Sequence, residues 1–510
     1  DDVESRGLGD VYKRQVNAEA TPSLRAWDNG KMLVEATLSQ YQKKHGEYPH
    51  KVSYTFWAGE FIESEGATVA QALYMLGVEP VRDRMNRVTD LRLIPSEELG
   101  RPRIDIVVQT SGQLRDLAAS RLIMITKAVS MAARAKDDVF DNYVAQGTVD
   151  SERMLVDKGV SPQTARELST MRVFGGINGH YGTGIMDLVE KGDAWENTTE
   201  VAETYMHNMG AIYGDDKNWG AFTKDLFQIA LSKTDIVVQP RQNNTWGALS
   251  LDHMYEFMGG VNLAVKNVTG KEPDTYLSDY RNRNKIRMQE LREAIGVESR
   301  TTLLNPAFIK EKMKGGSSSA QVFTKTFTNT YAWNVMKPDV IDNEMWNQLY
   351  EVYVKDSHNL GIQSFFRQQN PAAMQEITAV MLETARKGLW KATDQQLMDI
   401  ANLHTDLVKE FGATGSNFSG SNIKLQDFIA KKAKSENTNA YKQQLQKMKS
   451  ADASSEIMKQ GTILKKEGVS QSEDGKENSL NGIVVVSMVL VIFVVLLVIL
   501  RKKRQKEQSK

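Results

Sequence analysis

The chain contains no cysteine in 510 residues. That absence excludes thiolate nucleophiles, iron-sulfur clusters, cysteine-bound zinc and disulfide bonds. Any metal is left with His, carboxylate, Tyr, Met or carbonyl oxygen as ligands. A charge excess is missing too, since Lys plus Arg and Asp plus Glu both number 64. No basic cluster interleaved with aromatics occurs in the body, so nothing points to nucleic acid as a partner. Gly-Lys-Ser/Thr phosphate loops, His-Glu-x-x-His, a nucleophile elbow, zinc spacings and internal repeats are all absent. What remains is ordinary globular material, 41% hydrophobic and 25% charged, enough for two or three domains.

The two ends differ from the body. DDVESRGLGDVYKRQ, residues 1–15, has no apolar segment and no periodicity that continues. It reads as a scar outside the fold, and the chain as the carboxyl-terminal part of something longer. At the other end Ile483–Leu500 is eighteen residues without charge or proline, long enough to span a bilayer core. A basic tail follows at 501–510, whereas residues 467–482 carry four acids and one lysine. By the positive-inside rule the tail is cytoplasmic and the bulk extracytoplasmic, which makes this a single-pass membrane protein.

Between the ends the pattern predicts an α/β layer, a Rossmann-like parallel sheet, over 16–136. A helix at Lys31–Lys44 leads to the alternating strand KVSYTFW (Lys51–Trp57), and a second helix closes at Gly77. LRLIP (Leu91–Pro95) and RIDIVVQ (Arg103–Gln109) read as further strands of the layer, the latter apolar enough to be buried in parallel pairing, and Gln113–Ala135 reads as one long helix. Residues 137–300 are mixed and rich in loops, with IVVQPRQNN (Ile236–Asn244) a short strand. A helical domain over 301–430 and a polar, partly helical stalk over 431–482 lead to the transmembrane helix.

Three polar concentrations and one glycine run fall in predicted loops. WAGEFIESEG (Trp57–Gly66) carries Glu60, Glu63 and Glu65, which could hold a hard cation, move protons, or serve only as the acidic first turn of the next helix. TSGQLRDL (Thr110–Leu117) sets Arg115 and Asp116 at a helix start, suited to an anionic group or to ordinary capping. Arg241, Gln242, Asn243 and Asn244 are successive polar side chains followed by Trp246, His253 and Tyr255. A flat, wide ligand needs such aromatic faces, a guanidinium for its carboxylates and an axial imidazole, although a lone histidine also serves structural ends. RVFGGINGHYGTGIMDLVEKG (Arg172–Gly192) places Gly175, Gly176, Gly179, Gly182 and Gly184 around His180 and Tyr181, which signifies a bound ligand or a demanding turn.

GRPRIDIVVQTSGQLRDL (Gly100–Leu117), the glycine run, YEFMGG (Tyr255–Gly260), LNPAFIK (Leu304–Lys310), NPAAM and ARKGLW (Asn370–Trp390) occur in this order. In them the chain resembles the carboxyl-terminal part of the large subunits of tetrapyrrole metal chelatases, the family of CobN and of the magnesium-chelatase large subunit. The resemblance implies a subunit that holds a porphyrin or corrin while a metal enters or leaves, with the glycine run lining a broad cleft. It also implies Arg115, Arg172, Gly176, Tyr181, Arg241, Gln242, Asn243, Asn244, Trp246, Tyr255 and Met258 as tetrapyrrole contacts. His253 and His180 are the implied metal ligands or proton donors, and Glu60, Glu63 and Glu65 the acceptors of metal or protons.

Two departures refine the expectation. Cobaltochelatase-type members usually carry a His-Asp pair in the polar cluster and His-Gly-Gly after the aromatic, where this chain has Trp246, Gly247 and Met258. Family insertases draw on ATP through AAA+ partner subunits in the cytoplasm, whereas the charge bias places this bulk outside. Both point to the membrane-anchored, HmuS-like branch associated with haem uptake. The leading expectation is therefore removal or exchange of a tetrapyrrole's metal, iron from haem. The rivals are an ATP-coupled cobaltochelatase subunit inserting cobalt for cobalamin synthesis, and a non-catalytic haem or cobamide carrier.

Overall fold

The apolar run after the Gly-Arg-Pro turn is the buried parallel strand it is expected to be. Asp105–Thr110 pairs in parallel with Lys51–Phe56, and all six residues of each are buried. This computed structural model describes residues 18–460 apart from 137, 178–180, 243–246, 283 and 417. Nine strands occur among them: β1 (Lys51–Phe56), β2 (Val78–Arg82), β3 (Val88–Leu93), β4 (Asp105–Thr110), β5 (Val173–Gly175), β6 (Ala211–Ile212), β7 (Thr234–Arg241), β8 (Asp274–Asp279) and β9 (Arg287–Glu290).

Seven of these strands form one sheet in the order β6-β5-β4-β1-β7-β8-β9, antiparallel only at its two edges. Five of the seven come from beyond residue 137, so the sheet that the pattern predicts over 16–136 continues to Glu290. LRLIP falls outside this sheet. Its strand β3 pairs with β2 in a separate antiparallel hairpin. The Asp83 carboxylate accepts from the backbone N–H groups of Met85 and Arg87, and this closes a tight turn that reverses the chain. The helix expected over Gln113–Ala135 is two helices, Gly112–Leu117 and Ala119–Ala133. Ala118 leaves the helical region at φ −139° and ψ 41°.

Alternation along the strands sends side chains into two cores. Val52, Tyr54, Phe56, Ile106 and Val108 face the helices Leu24–His45, Ala67–Met75 and Ala119–Ala133. Val107, Phe174, Val237 and Leu277 face Gly260–Thr269 and Gly316–Met336. Helices on both faces explain why the polar side of β1 is buried as well. From Pro306 to Phe411 the described elements are helices, as expected, and their starts are legible as caps. The side chains of Asn305, Asp342, Asn370 and Thr393 each accept a first-turn N–H.

The last described helix, Ser435–Gln460, belongs to the stretch read as a stalk. Ile483–Leu500 and the basic tail lie outside the described residues. Among the described residues no helix is long and apolar enough to cross a membrane.

Candidate functional site

Strand order puts a reversal beside β1. From β1 the sheet grows through β4 to β5 on one side, and through β7 to β8 on the other. Open α/β sheets bind ligands at such a reversal, beyond the carboxyl ends of the parallel strands. A narrow cleft opens there, with about 330 Å³ of empty space when the adjoining solvent is included. Trp57, the residue after β1, forms one wall. Gln239, Pro240, Arg241 and Gln242 at the end of β7 form another, and Leu251, His253 and Met254 close it. The Trp57 ring stands perpendicular to Phe257 at 5.1 Å and 5.9 Å from the His253 ring.

His253 introduces a π turn, Met254–Gly259, of the kind that recurs at functional sites. Its Nδ1 lies 2.6 Å from Oε2 of Glu256, a fully buried carboxylate. The other oxygen, Oε1, accepts from the backbone N–H of Thr183 at 2.6 Å and from its hydroxyl at 3.0 Å. One carboxylate thus ties the cleft imidazole to the far end of the glycine run. Gly182 lies close beside it, where a Cβ would stand 3.0 Å from Glu256 Oε1 and the carboxylate would have to give slightly. The hydrogen bond to Glu256 raises the His253 pKa above its ordinary 6.5, against the opposing pull of partial burial.

Arg241 is buried, and its Nε has no hydrogen-bond partner among the described residues. The same holds for Oε1 of the neighbouring Gln239. Burial, and after it the charge of Arg281, lowers the Arg241 pKa. A buried guanidinium nitrogen without an acceptor is costly, and a ligand carboxylate in the cleft removes that cost.

Glu60 is buried just past Trp57, where it accepts from the Ser64 hydroxyl and from Thr68 N–H at 3.3 Å. Burial raises its pKa from 4.5 to about 7. The native protein therefore keeps a proton that the unfolded chain releases, and stability is lost as pH rises through that interval. Glu60→Gln keeps the acceptor without the charge. It is expected to match the wild type closely at pH 5 and to exceed it by on the order of 3 kcal/mol at pH 8 in urea unfolding.

The other predicted residues scatter. Glu63 and Glu65 are exposed. Arg115 is buried and held within the protein, donating from Nη1 to the Gly176 carbonyl (3.2 Å) and the Tyr213 hydroxyl (3.3 Å) and from Nε to Asp116 (2.9 Å). Tyr181, exposed, donates to the same Asp116 at 3.1 Å. Arg115, Gly176 and Tyr181 thus form a second group that anchors the glycine run, and none of them lines the cleft. Arg172 pairs with Asp105 at the opposite end of the strands. Tyr255 and Met258 are packed in the core. His180, Asn243, Asn244 and Trp246 lie outside the described residues. Among the described residues no group of three His, Asp or Glu is placed to hold a metal ion. Sequence reasoning passes over Glu256 and Thr183. The one signal for Glu256 is its i, i+3 spacing from His253 on a helical segment.

Residues 14–397 match the CobN/Magnesium Chelatase family. The chain belongs to that family. An uncharacterised protein of Methanocaldococcus jannaschii is 32% identical over 379 residues, 74% of this chain and 30% of its own length. The aerobic cobaltochelatase subunit CobN of a Sinorhizobium species is 30% identical over 76% of this chain and 30% of its own. The chloroplastic magnesium-chelatase subunit ChlH of Oryza sativa is 26% identical over 77% and 28% respectively. The solved catalytic subunit of cobaltochelatase from Mycobacterium tuberculosis superposes with a TM-score of 0.71 at 26% identity, over 76% of this chain and 32% of that one. This CobN/magnesium-chelatase chain spans about a third of the length of those relatives. Within it Met258, where the resemblance calls for a histidine, is buried, and the cleft imidazole comes from His253 instead.

Proposed function

We propose that this chain binds a tetrapyrrole in the cleft between Trp57 and His253 and takes part in removing its metal, with haem as the macrocycle and iron as the metal released. The family and the relatives named as cobaltochelatase and magnesium-chelatase subunits support a tetrapyrrole ligand. The direction rests on one observation, the 2.6 Å contact of His253 Nδ1 with the buried Glu256 carboxylate, which favours the charged imidazole.

Losing a divalent ion leaves two pyrrole nitrogens that each take up a proton, whereas insertion requires both protons to leave. A charged imidazolium donates and is a poor base. Glu256 holds Nδ1, so Nε2 is the nitrogen that delivers the proton, and partial exposure of the ring lets solvent recharge it for the second. Trp57 offers a flat apolar face, and Arg241 a buried Nε that finds no acceptor among the described residues, for a propionate. Ferric haem first requires one electron from a reductant. Membrane anchoring through Ile483–Leu500, with the bulk outside the cytoplasm, is part of the same reading and is supported by the charge asymmetry around that span.

Anaerobic titration with haem and dithionite is the test. The expected result is a Soret shift followed by the fluorescence of metal-free porphyrin, with Arg241→Met weakening binding about tenfold through loss of a charge-assisted pair. A Soret shift that never yields free porphyrin makes the protein a carrier. The absence of any shift removes the cleft as a macrocycle site.

A further inference from the structure

A second cleft, with about 270 Å³ of empty space, opens at the other end of the same strands. It lies one strand length, about 20 Å, from the first. Lys51 and Asp105 stand on its wall at the first residues of β1 and β4, and Ser232 and Lys233 precede β7. The helix Tyr143–Asp157 closes over it, held near by Gly147, where any Cβ would run into the Asp105 carboxylate.

Charges here do not balance. Asp105 serves two buried cations, with Oδ2 3.1 Å from Lys51 Nζ and Oδ1 3.1 Å from Arg172 Nε. Asp150 likewise serves Lys233 at 2.6 Å and Arg153 at 2.8 Å. Asp235 lies 3.4 Å from His50, and with Glu47 and Asp141 it acts on Tyr143 at the rim, away from Lys51. The two most deeply buried cations, Lys51 and Arg172, therefore share the single carboxylate of Asp105, and Lys233 adds a further positive charge beside Lys51. The Lys51 ammonium donates to the Ala230 carbonyl at 2.8 Å and meets Asp105, which leaves one of its three N–H groups over. Burial lowers the Lys51 pKa to about 8, and the charges of Arg172 and Lys233 act in the same direction. A buried ion cluster with surplus positive charge is poorly compensated unless an anion joins it.

We propose that this second cleft binds a small oxyanion, the carboxylate or phosphate group of a metabolite, between Lys51 and Lys233. The site is separate from the Trp57 cleft, so it stands or falls independently of the tetrapyrrole reading. Gln146, exposed at the mouth, supplies a variant that reverses the field without touching the core.

Thermal unfolding of the full chain is compared in inorganic phosphate, in succinate and in potassium chloride at matched ionic strength. Phosphate or succinate is expected to raise Tm by about 2 °C or more over chloride. That increment should fall to less than half in Gln146→Glu and vanish in Lys51→Met. Response to phosphate alone assigns a phosphate-bearing ligand, response to succinate alone a carboxylate, and response to both the shared oxyanion chemistry. No increment over chloride overturns the proposal, as does an increment of equal size in Gln146→Glu, which reports general salt exclusion rather than this cleft. Should Lys51→Met fail to fold, Gln146→Glu decides alone.

Discussion

Replacing Glu256 with glutamine is expected to slow release of metal-free porphyrin about 100-fold at pH 8, the loss typical of a disabled general acid. The amide introduced there would still offer an oxygen to Thr183, so the glycine run keeps its anchor while the charge beside His253 is gone. The measurement that separates proton transfer from mere positioning is the pH profile. In the wild type the rate is expected to fall as pH rises through the raised His253 pKa. In Glu256→Gln the imidazole pKa falls back, because the largest raising influence is gone and only the charge of Asp252 still opposes burial. The fall therefore begins at lower pH, and the two proteins converge below about pH 5.5. A uniform loss at every pH would mean that Glu256 only holds the loop, and the proton-donor reading would fail. Stability follows the same sign. The pair contributes fully below the unfolded imidazole value and its contribution fades as pH rises through the folded one.

The largest effect on stability is expected at Asp105. Asp105→Asn leaves Lys51 and Arg172, with side chains 3% and 1% exposed, without a counter-charge inside the protein. Breaking a buried pair on one side costs about 3–5 kcal/mol. Here two cations lose their partner at once, so the upper end of that range is expected in urea unfolding at pH 7. The solvent-exposed pair Arg87–Asp83 is the control, where Asp83→Asn should change stability far less. Adding Lys51→Met to Asp105→Asn should recover part of the loss, because one uncompensated charge disappears with the lysine. A loss at Asp105 no larger than at Asp83 would show that water reaches the cluster freely.

Local features carried well from sequence to structure. The buried strand Asp105–Thr110, the capped helices between Pro306 and Phe411 and the family landmarks are all visible in short windows, because periodicity and capping act within a few residues. The short strands β5 and β6, three and two residues long, leave no such pattern. LRLIP has the composition of a layer strand. A turn built on Asp83 sends it into a hairpin instead.

The candidate site was legible in part. Arg241, Gln242 and His253, singled out in the sequence, do meet in one cleft, whereas Trp57, which the sequence did not single out, joins them because β1 and β7 are neighbours. Arg172 and Arg115 look equally suited to bind a carboxylate when read as letters. In the fold each guanidinium is turned inward, Arg172 to Asp105 and Arg115 to the Gly176 carbonyl and Tyr213.

By itself the amino-acid sequence determined the ligand chemistry open to this protein, its membership of a chelatase family and the helices of its second half. Composition, motif order and capping need no knowledge of distant neighbours. Which histidine faces the cleft, how strongly it holds its proton and which cleft nitrogen is left without an acceptor were decided only by tertiary structure. A side chain's charge and availability depend on groups that strand order brings within a few ångströms, from Thr183 to Glu256 or from Arg172 to Asp105, across dozens of residues of chain.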